Sequence, residues 1–229
     1  MTSARLPDRE ALSLVPEQTL IRDDLPIVHN NAMARPDSFR ATRPQSPMPR
    51  MSIAPLTLRP ATAADAPLLA TMHAASWQAT YRDLLPAAFL EQEVDAERTA
   101  YWRARMEAPG EERRLVLIAE LGEQPESRTP VGFVCAERQP GSTWGVLLDN
   151  LHALPAHQGI GVGKRLMQAA QAWARTQGEA QLYLYVLEGN ASAIAFYERQ
   201  GWKYSGAEPD HMGGIDITAL RYVYRLDAA

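Results

Sequence analysis

Between residues 56 and 226 the spacing of apolar positions changes repeatedly, and each change marks a predicted element. Leu56-Thr57-Leu58-Arg59 alternates with period two and reads as a first strand. Over residues 65–81, Leu68, Leu69, Met72, Ala75 and Trp77 recur at helical spacing. After a break at Leu85-Pro86, a second helical stretch runs over about 87–106 and stops near Pro109-Gly110. Residues 115–119 and 131–135 are short apolar runs read as two strands joined by a turn containing Gly and Pro. Residues 144–154 form a fourth strand, 162–176 an amphipathic helix, 182–186 a fifth strand and 192–199 a short helix. The last strands are read at 202–204 and 218–224. Strands alternating with helices define an α/β chain, and no repeat or heptad interrupts it.

The first 54 residues carry no such pattern. Eight of the 17 prolines fall within the first 55 residues, and neither a period-two nor a helical spacing survives among them. A segment of this kind cannot bury enough apolar surface to offset its ordering entropy, so 1–54 is expected to be a disordered tail and 55–229 the domain. Two alternatives stand: Ala11-Leu12-Ser13-Leu14-Val15 docks on the domain, or Met51 is the true start. Nothing in the tail resembles a secretory signal, and Asp8, Glu10 and Glu17 argue against a transit peptide.

The chemistry concentrates in one stretch, Leu151-His152-Ala153-Leu154-Pro155-Ala156-His157-Gln158-Gly159-Ile160-Gly161-Val162-Gly163-Lys164. It reads as a strand running through a glycine-rich loop into a helix whose N-terminal N–H groups and dipole favour phosphate. The dinucleotide pattern fails because Lys164 stands where its last glycine belongs. The nucleoside-triphosphate loop fails twice, at Gln158 and at Arg165. What fits is [QR]-x-x-G-x-[GA], which resembles the coenzyme A pyrophosphate loop of the GNAT superfamily of N-acetyltransferases. A second stretch, Asn190-Ala191-Ser192-Ala193-Ile194-Ala195-Phe196-Tyr197-Glu198-Arg199-Gln200-Gly201-Trp202, resembles that superfamily's N-x-x-A-x-x-F-Y-x-x-x-G-F signature, with Asn190 suited to a helix N-cap. Leu58-Arg59-Pro60-Ala61-Thr62, then Asp65, also looks like the family's first strand and helix.

The resemblance implies a mixed central sheet, flanked by helices, whose fourth and fifth strands splay apart so that pantetheine fills the gap. It implies main-chain contacts to acetyl-CoA from Leu151, His152 and Ala153, a pyrophosphate cradle of Gln158, Gly159, Ile160, Gly161, Val162, Gly163 and Lys164, and a contact from Asn190. Tyr197 holds the family position of the general acid that protonates the departing thiolate. Some relatives carry a base glutamate where this chain has Tyr185; others use alternate positions on the fourth strand, here Leu147 and Asp149. Asp149 is therefore the expected base, with Asn150 and His152 as alternatives if the strand bulges, and a water chain as the option without a side chain.

Composition narrows the partners. A net charge of -4 leaves no broad basic footprint for nucleic acid, and no apolar run reaches the roughly 20 residues that span a bilayer. Cys135 is the single cysteine, which excludes an internal disulfide framework and fits a cytoplasmic protein. His152, His157 and His211 lack metal-ligand spacing, and no metal is expected. Trp77, Tyr81 and the Leu84-Leu85-Pro86 break are expected to wall the substrate site, with His211, Gly213, Gly214 and Asp216 in a loop closing over it. An acidic group such as Asp216 or Asp210 would draw a cationic amine. The expected activity is acetyl transfer to a small amine, which is favoured, or to an exposed peptide amine. The rival from another class is a noncatalytic acyl-CoA sensor. A homodimer is left open.

Overall fold

The computed structural model describes residues 55–108 and 113–226. The tail, the Met51 alternative and the helix stop at Pro109-Gly110 lie outside the described residues. The chain forms one seven-stranded sheet in the order β1-β2-β3-β4-β5-β7-β6, with β1 at Leu56–Pro60, β2 at Arg114–Leu121, β3 at Thr129–Arg138, β4 at Val146–Ala153, β5 at Gln181–Leu187, β6 at Lys203–Met212 and β7 at Ile215–Arg225. Every pairing is antiparallel except β4 with β5. The helices are α1 (Ala66–Thr80), α2 (Val94–Glu107), α3 (Val162–Thr176) and α4 (Ala191–Arg199). The predicted second helix is interrupted: a π-helical turn at Phe89–Glu93 precedes α2.

Alternating strand residues send two separate cores to opposite faces. Ala119, Val134, Ala136, Leu148 and Leu184 pack with Val162, Leu166 and Ala170 of α3 and with Ala193, Phe196 and Tyr197 of α4. Their neighbours Ile118, Phe133 and Cys135 pack with Leu69, Met72 and Trp102 of α1 and α2. Each fully buried large side chain in these cores contributes about 1.5–3 kcal/mol. Farther along the second face, Leu147, Tyr183, Tyr185 and Ala219 form a cluster that includes no helix residue.

Two departures from regular pairing shape the centre. β4 and β5 are bridged only at Val146↔Leu182 and Leu147↔Tyr183, so the strands part beyond that rung. Directly after it, Ala136 pairs with Leu148 and Cys135 with Asn150, which leaves Asp149 as the extra residue of a β-bulge. A bulge bends its own strand and re-aims the side chains that follow. The result is visible here: Leu148, Leu151 and Ala153 share the α3 core, whereas Asn150 and His152 reach toward α2 and α1.

The final hairpin is longer than the sequence reading allowed. Its turn is Gly213-Gly214 with φ of 58° and 82°, between the paired Met212 and Ile215. Two consecutive positive φ values are what a two-residue hairpin turn requires, and glycine adopts them without Cβ strain. Pro209 lies within β6, which is tolerated because β6 is the sheet edge and one side of it needs no donor. His211 and Asp216, expected in a glycine-rich loop closing over the substrate, are cross-strand partners beside the hairpin turn, with His211 Nδ1 3.0 Å from Asp216 Oδ1.

Candidate functional site

The glycine-rich loop ends in α3 with Gly161 as N-cap at φ 94°, and Gly159 is also left-handed at φ 76°. A Cβ added at either position would meet nothing within 4 Å, so these glycines are required by backbone conformation and leave open space beside the loop. The first bond of the helical ladder runs from Arg165 N–H to the Gly161 carbonyl. The N–H groups of Val162, Gly163 and Lys164 therefore precede the ladder. Lys164 and Arg165 stand exposed in this first turn, where the helix dipole disfavours cations. An anion seated on the N–H groups would reverse that penalty. Ile160, at the loop tip, is 47% exposed. Gln158 donates its side-chain amide to the Ala153 carbonyl at 3.1 Å, tying the loop back to the end of β4.

The α4 motif supplies two buried polar atoms without a hydrogen-bond partner among the described residues, Asn190 Nδ2 and Tyr197 Oη. Asn190 caps α4 by accepting from Ala193 N–H at 3.2 Å, as its position predicts, and this leaves its amide nitrogen to spare. Tyr197 is fully buried against Phe196 and Trp202, and burial alone pushes its phenol well above the ordinary tyrosine range. It keeps its proton at every physiological pH. A buried polar atom with no partner costs about 1–3 kcal/mol, so two in one motif suit a site that a polar ligand completes.

On β4 the expected side-chain roles divide. Asp149 is held by Arg105 at 2.5 Å and accepts from the Tyr101 hydroxyl at 2.7 Å; Tyr101 in turn accepts from Asn150 Nδ2 at 3.1 Å. With its carboxylate engaged by both a guanidinium and a phenol of α2, these contacts support a positioning role for Asp149 and Asn150. His152 is fully buried, its Nδ1 2.9 Å from Ser76 Oγ and its ring stacked on Phe133. Desolvation, with a smaller effect of Arg98, pushes its pKa down to about 3, so it is neutral. With the ring engaged, the part of His152 left for a ligand in the gap is main chain, as for Leu151 and Ala153.

The substrate wall needs correction. Trp77 and Tyr81 are 2% and 0% exposed and pack with Leu85, Phe89, Val94 and Met212. They are core beneath the wall. The surface cleft nearby, about 340 Å³, is lined instead by Leu84, Leu187, Glu188, Gly189, Asp216 and Thr218, so Asp216 and the Leu84 break do face it. The residues that sequence reasoning missed are Tyr101 and Arg105 on α2 and Glu208 and Arg221 on the last hairpin. Tyr101 and Arg105 are one helical turn apart, a polar pair on the buried face of α2, and that spacing was the available signal. Among the described residues, no three His, Cys, Asp or Glu side chains group to hold a metal ion, and no helix is long and apolar enough to cross a membrane.

Residues 75–202 match the acetyltransferase (GNAT) family, a stretch that runs from α1 to the end of the α4 motif. Streptothricin acetyltransferase of Streptomyces lavendulae is 33% identical over 98 residues, covering 38% of this chain and 50% of that enzyme. The chain thus spans about half of the length of that relative. Among solved structures, a GCN5-related N-acetyltransferase from Rhodopseudomonas palustris superposes with a TM-score of 0.59 at 22% identity, over 77% of this chain and 99% of that one. The acetyltransferase YncA of Salmonella typhimurium, determined with acetyl-CoA, gives a TM-score of 0.54 at 20% identity, over 77% and 96%. These likenesses confirm the fold, including the parallel β4–β5 pair. With the family match extending over more than half of the sequence, the chain belongs to the acetyltransferase (GNAT) family.

Proposed function

We propose that this protein transfers the acetyl group of acetyl-CoA to a small-molecule primary amine. The observation that carries the reading is the open, left-handed glycine loop at the N-terminus of α3, in a sheet whose β4 and β5 part after two rungs, together with Asn190 Nδ2 and Tyr197 Oη of the α4 motif, unpartnered among the described residues. In this reading the N–H groups of residues 159–164 hold the pyrophosphate and Lys164 and Arg165 balance its charge. The main chain of Leu151, His152 and Ala153 pairs with pantetheine, and Asn190 Nδ2 donates to the cofactor. Tyr197, kept protonated by burial, donates to the sulfur as the thioester breaks. The amine must shed a proton first, since an alkyl ammonium with a pKa of about 10.4 has no lone pair.

Similarity to streptothricin acetyltransferase supports an amine-bearing small molecule as acceptor, and the cleft lined by Glu188 and Asp216 suits a cationic one. The engagement of Asp149 with Arg105 favours one rival, a sensor that binds acyl-CoA without turnover. The two separate in a single experiment: acetyl-CoA is incubated with a panel of small amines and short peptides, and free thiol and acetylated product are both quantified. Matched release of thiol and product from small amines is expected. Acetyl-CoA binding with no product from any amine would replace the enzyme with the sensor.

A further inference from the structure

α1 straddles the opening between the parted strands. On one side Ser76 Oγ lies 2.9 Å from His152 Nδ1 of β4; on the other, Ala74 and Trp77 share a buried cluster with Leu187, the last residue of β5. Because β4 and β5 run parallel, Ala153 and Leu187 finish at the same end of the sheet, on either side of that opening. Ligands of open α/β sheets bind outside the carboxyl ends of the strands. The cleft of about 340 Å³ lies at this end: Leu187, Glu188 and Gly189 form one side, Ile217 and Thr218 of β7 another, and Leu84, just past α1, a third. The residue after Gly189 is Asn190, whose amide nitrogen has no partner among the described residues.

Leu84 is seated at this cleft by the absence of a side chain opposite. A Cβ built on Gly189 would lie 2.6 Å from Leu84 Cδ2, and the three nearest atoms it would meet all belong to Leu84. Gly189 is not among the left-handed glycines, so its backbone would accept alanine; what glycine supplies here is room for Leu84. The backbone under Leu84 is held by the turn that ends α1, where the N–H groups of Leu84 and Leu85 both donate to the Tyr81 carbonyl at 2.9 Å. Leu85 is anchored in the cluster of Trp77, Phe89 and Val94. With its main chain fixed, half-buried Leu84 rests its side chain on residue 189 and walls the cleft.

We propose that Leu84, seated on Gly189, sets the size of the amine that the protein acetylates. This rests on the acetyltransferase reading above and names the specificity-determining residue of its acceptor cleft. The stem of the amine packs along Leu84, Leu187 and Ile217, three apolar side chains, while its amino group points to the opening between β4 and β5. The acceptor class is a primary amine on a short apolar stem, and the position of Leu84 limits the length of that stem. Leu84 takes no proton and acts through fit alone.

The test uses the best amine of the panel and homologues whose stem is lengthened one methylene at a time. Acceptor kcat/KM and acetyl-CoA KM are measured for the parent, Leu84→Ala, Gly189→Ala and the double variant. Leu84→Ala removes the wall and should move the preferred homologue to a longer stem, with kcat/KM for the longer homologues rising about 10-fold. Leu84→Val gives the same direction with a smaller change if Leu84→Ala does not fold. Gly189→Ala places a methyl group where Leu84 rests, pushes that flexible side chain into the cleft and should shorten the longest stem accepted. In the double variant the atoms that would be pushed are gone, so the shortening should vanish. Acetyl-CoA KM should stay unchanged throughout, which a general loss of structure would not allow. An order of homologues unchanged by truncating Leu84, or a shortening that persists in the double variant, would overturn the proposal. If the parent acetylates no amine, the acetyltransferase reading fails and this proposal fails with it. An active parent whose ranking of homologues survives every variant removes this proposal alone.

Discussion

Arg105 and Asp149 lie 2.5 Å apart across the α2–β4 interface, and Tyr101, one helical turn before Arg105, donates to the same carboxylate at 2.7 Å. The pair anchors the bulged residue of β4 where that strand leaves β5. The position at which β4 parts from β5 is thus braced by side chains of a helix far away in sequence. Arg105 is also bonded to Glu137 at 2.5 Å and to Cys135 Sγ at 3.4 Å, so the anchor reaches β3 as well.

Asp149→Asn tests this anchor. The amide keeps an acceptor for Tyr101 but gives up the charge, while Arg105 retains Glu137. A stability loss of about 2 kcal/mol in urea unfolding is expected, in line with a lost charged hydrogen bond. Turnover should fall less than tenfold, with the shape of its pH profile unchanged. A profile moved toward that of the unassisted amine would instead make Asp149 the base.

Gly161 should be irreplaceable for backbone reasons. Gly161→Ala is expected to cost about 1–2 kcal/mol, because φ 94° penalises a Cβ even though space is open. Gly161→Glu adds a negative charge beside the proposed pyrophosphate site and should abolish the rise in melting temperature produced by acetyl-CoA. Differential scanning fluorimetry with and without ligand reads both effects.

The entry to α1 carries a pH signature. Arg59 bonds both Asp65 oxygens at 2.9 and 2.7 Å, and this contact lowers the Asp65 carboxyl from 3.8 to about 2. A carboxyl depressed on folding stabilises the protein above its unfolded pKa and loses that contribution as pH falls toward the folded one. Between pH 4 and pH 2 the protein should lose about 1 kcal/mol at this site, allowing for solvent screening of the half-exposed Arg59. Asp65→Asn should be less stable at pH 6 and have a flatter acid limb in the same window.

Tyr197→Phe separates chemistry from packing. Removing a buried hydroxyl that has no partner among the described residues leaves the ring contacts with Phe196 and Trp202 intact, so stability without ligand should hold or rise. Turnover should fall about 100-fold at saturating acetyl-CoA. A loss of stability without a loss of rate would make the phenol a structural group.

What the sequence disclosed, and what it concealed, follows from the range of the signals. The α3 loop and the Asn190 cap were legible because each is a local rule: a glycine for left-handed backbone and an asparagine at the start of a helix. The length of β6 was hidden because Gly206 and Pro209 break the usual strand signature, although an edge strand tolerates both. The bulge at Asp149 was invisible since Leu147-Leu148-Asp149-Asn150-Leu151 has no alternation that marks the extra residue. Trp77 and Tyr81 were misplaced because helical spacing names an inward face without saying whether it meets a cleft or another core. Here it meets Phe89 and Val94 beside the π-helical turn. Glu208 and Arg221 lie 13 residues apart in the chain and meet only through the hairpin.

The central claim is that acetyl-CoA lies in the β4–β5 gap with its pyrophosphate on the α3 loop. Backbone hydrogen exchange followed by mass spectrometry, with and without acetyl-CoA, tests it most directly. The account predicts that added protection concentrates in residues 150–153 and 159–164, and that Gly161→Glu removes it. Protection confined to other segments, or binding that leaves both of these unchanged, would contradict it.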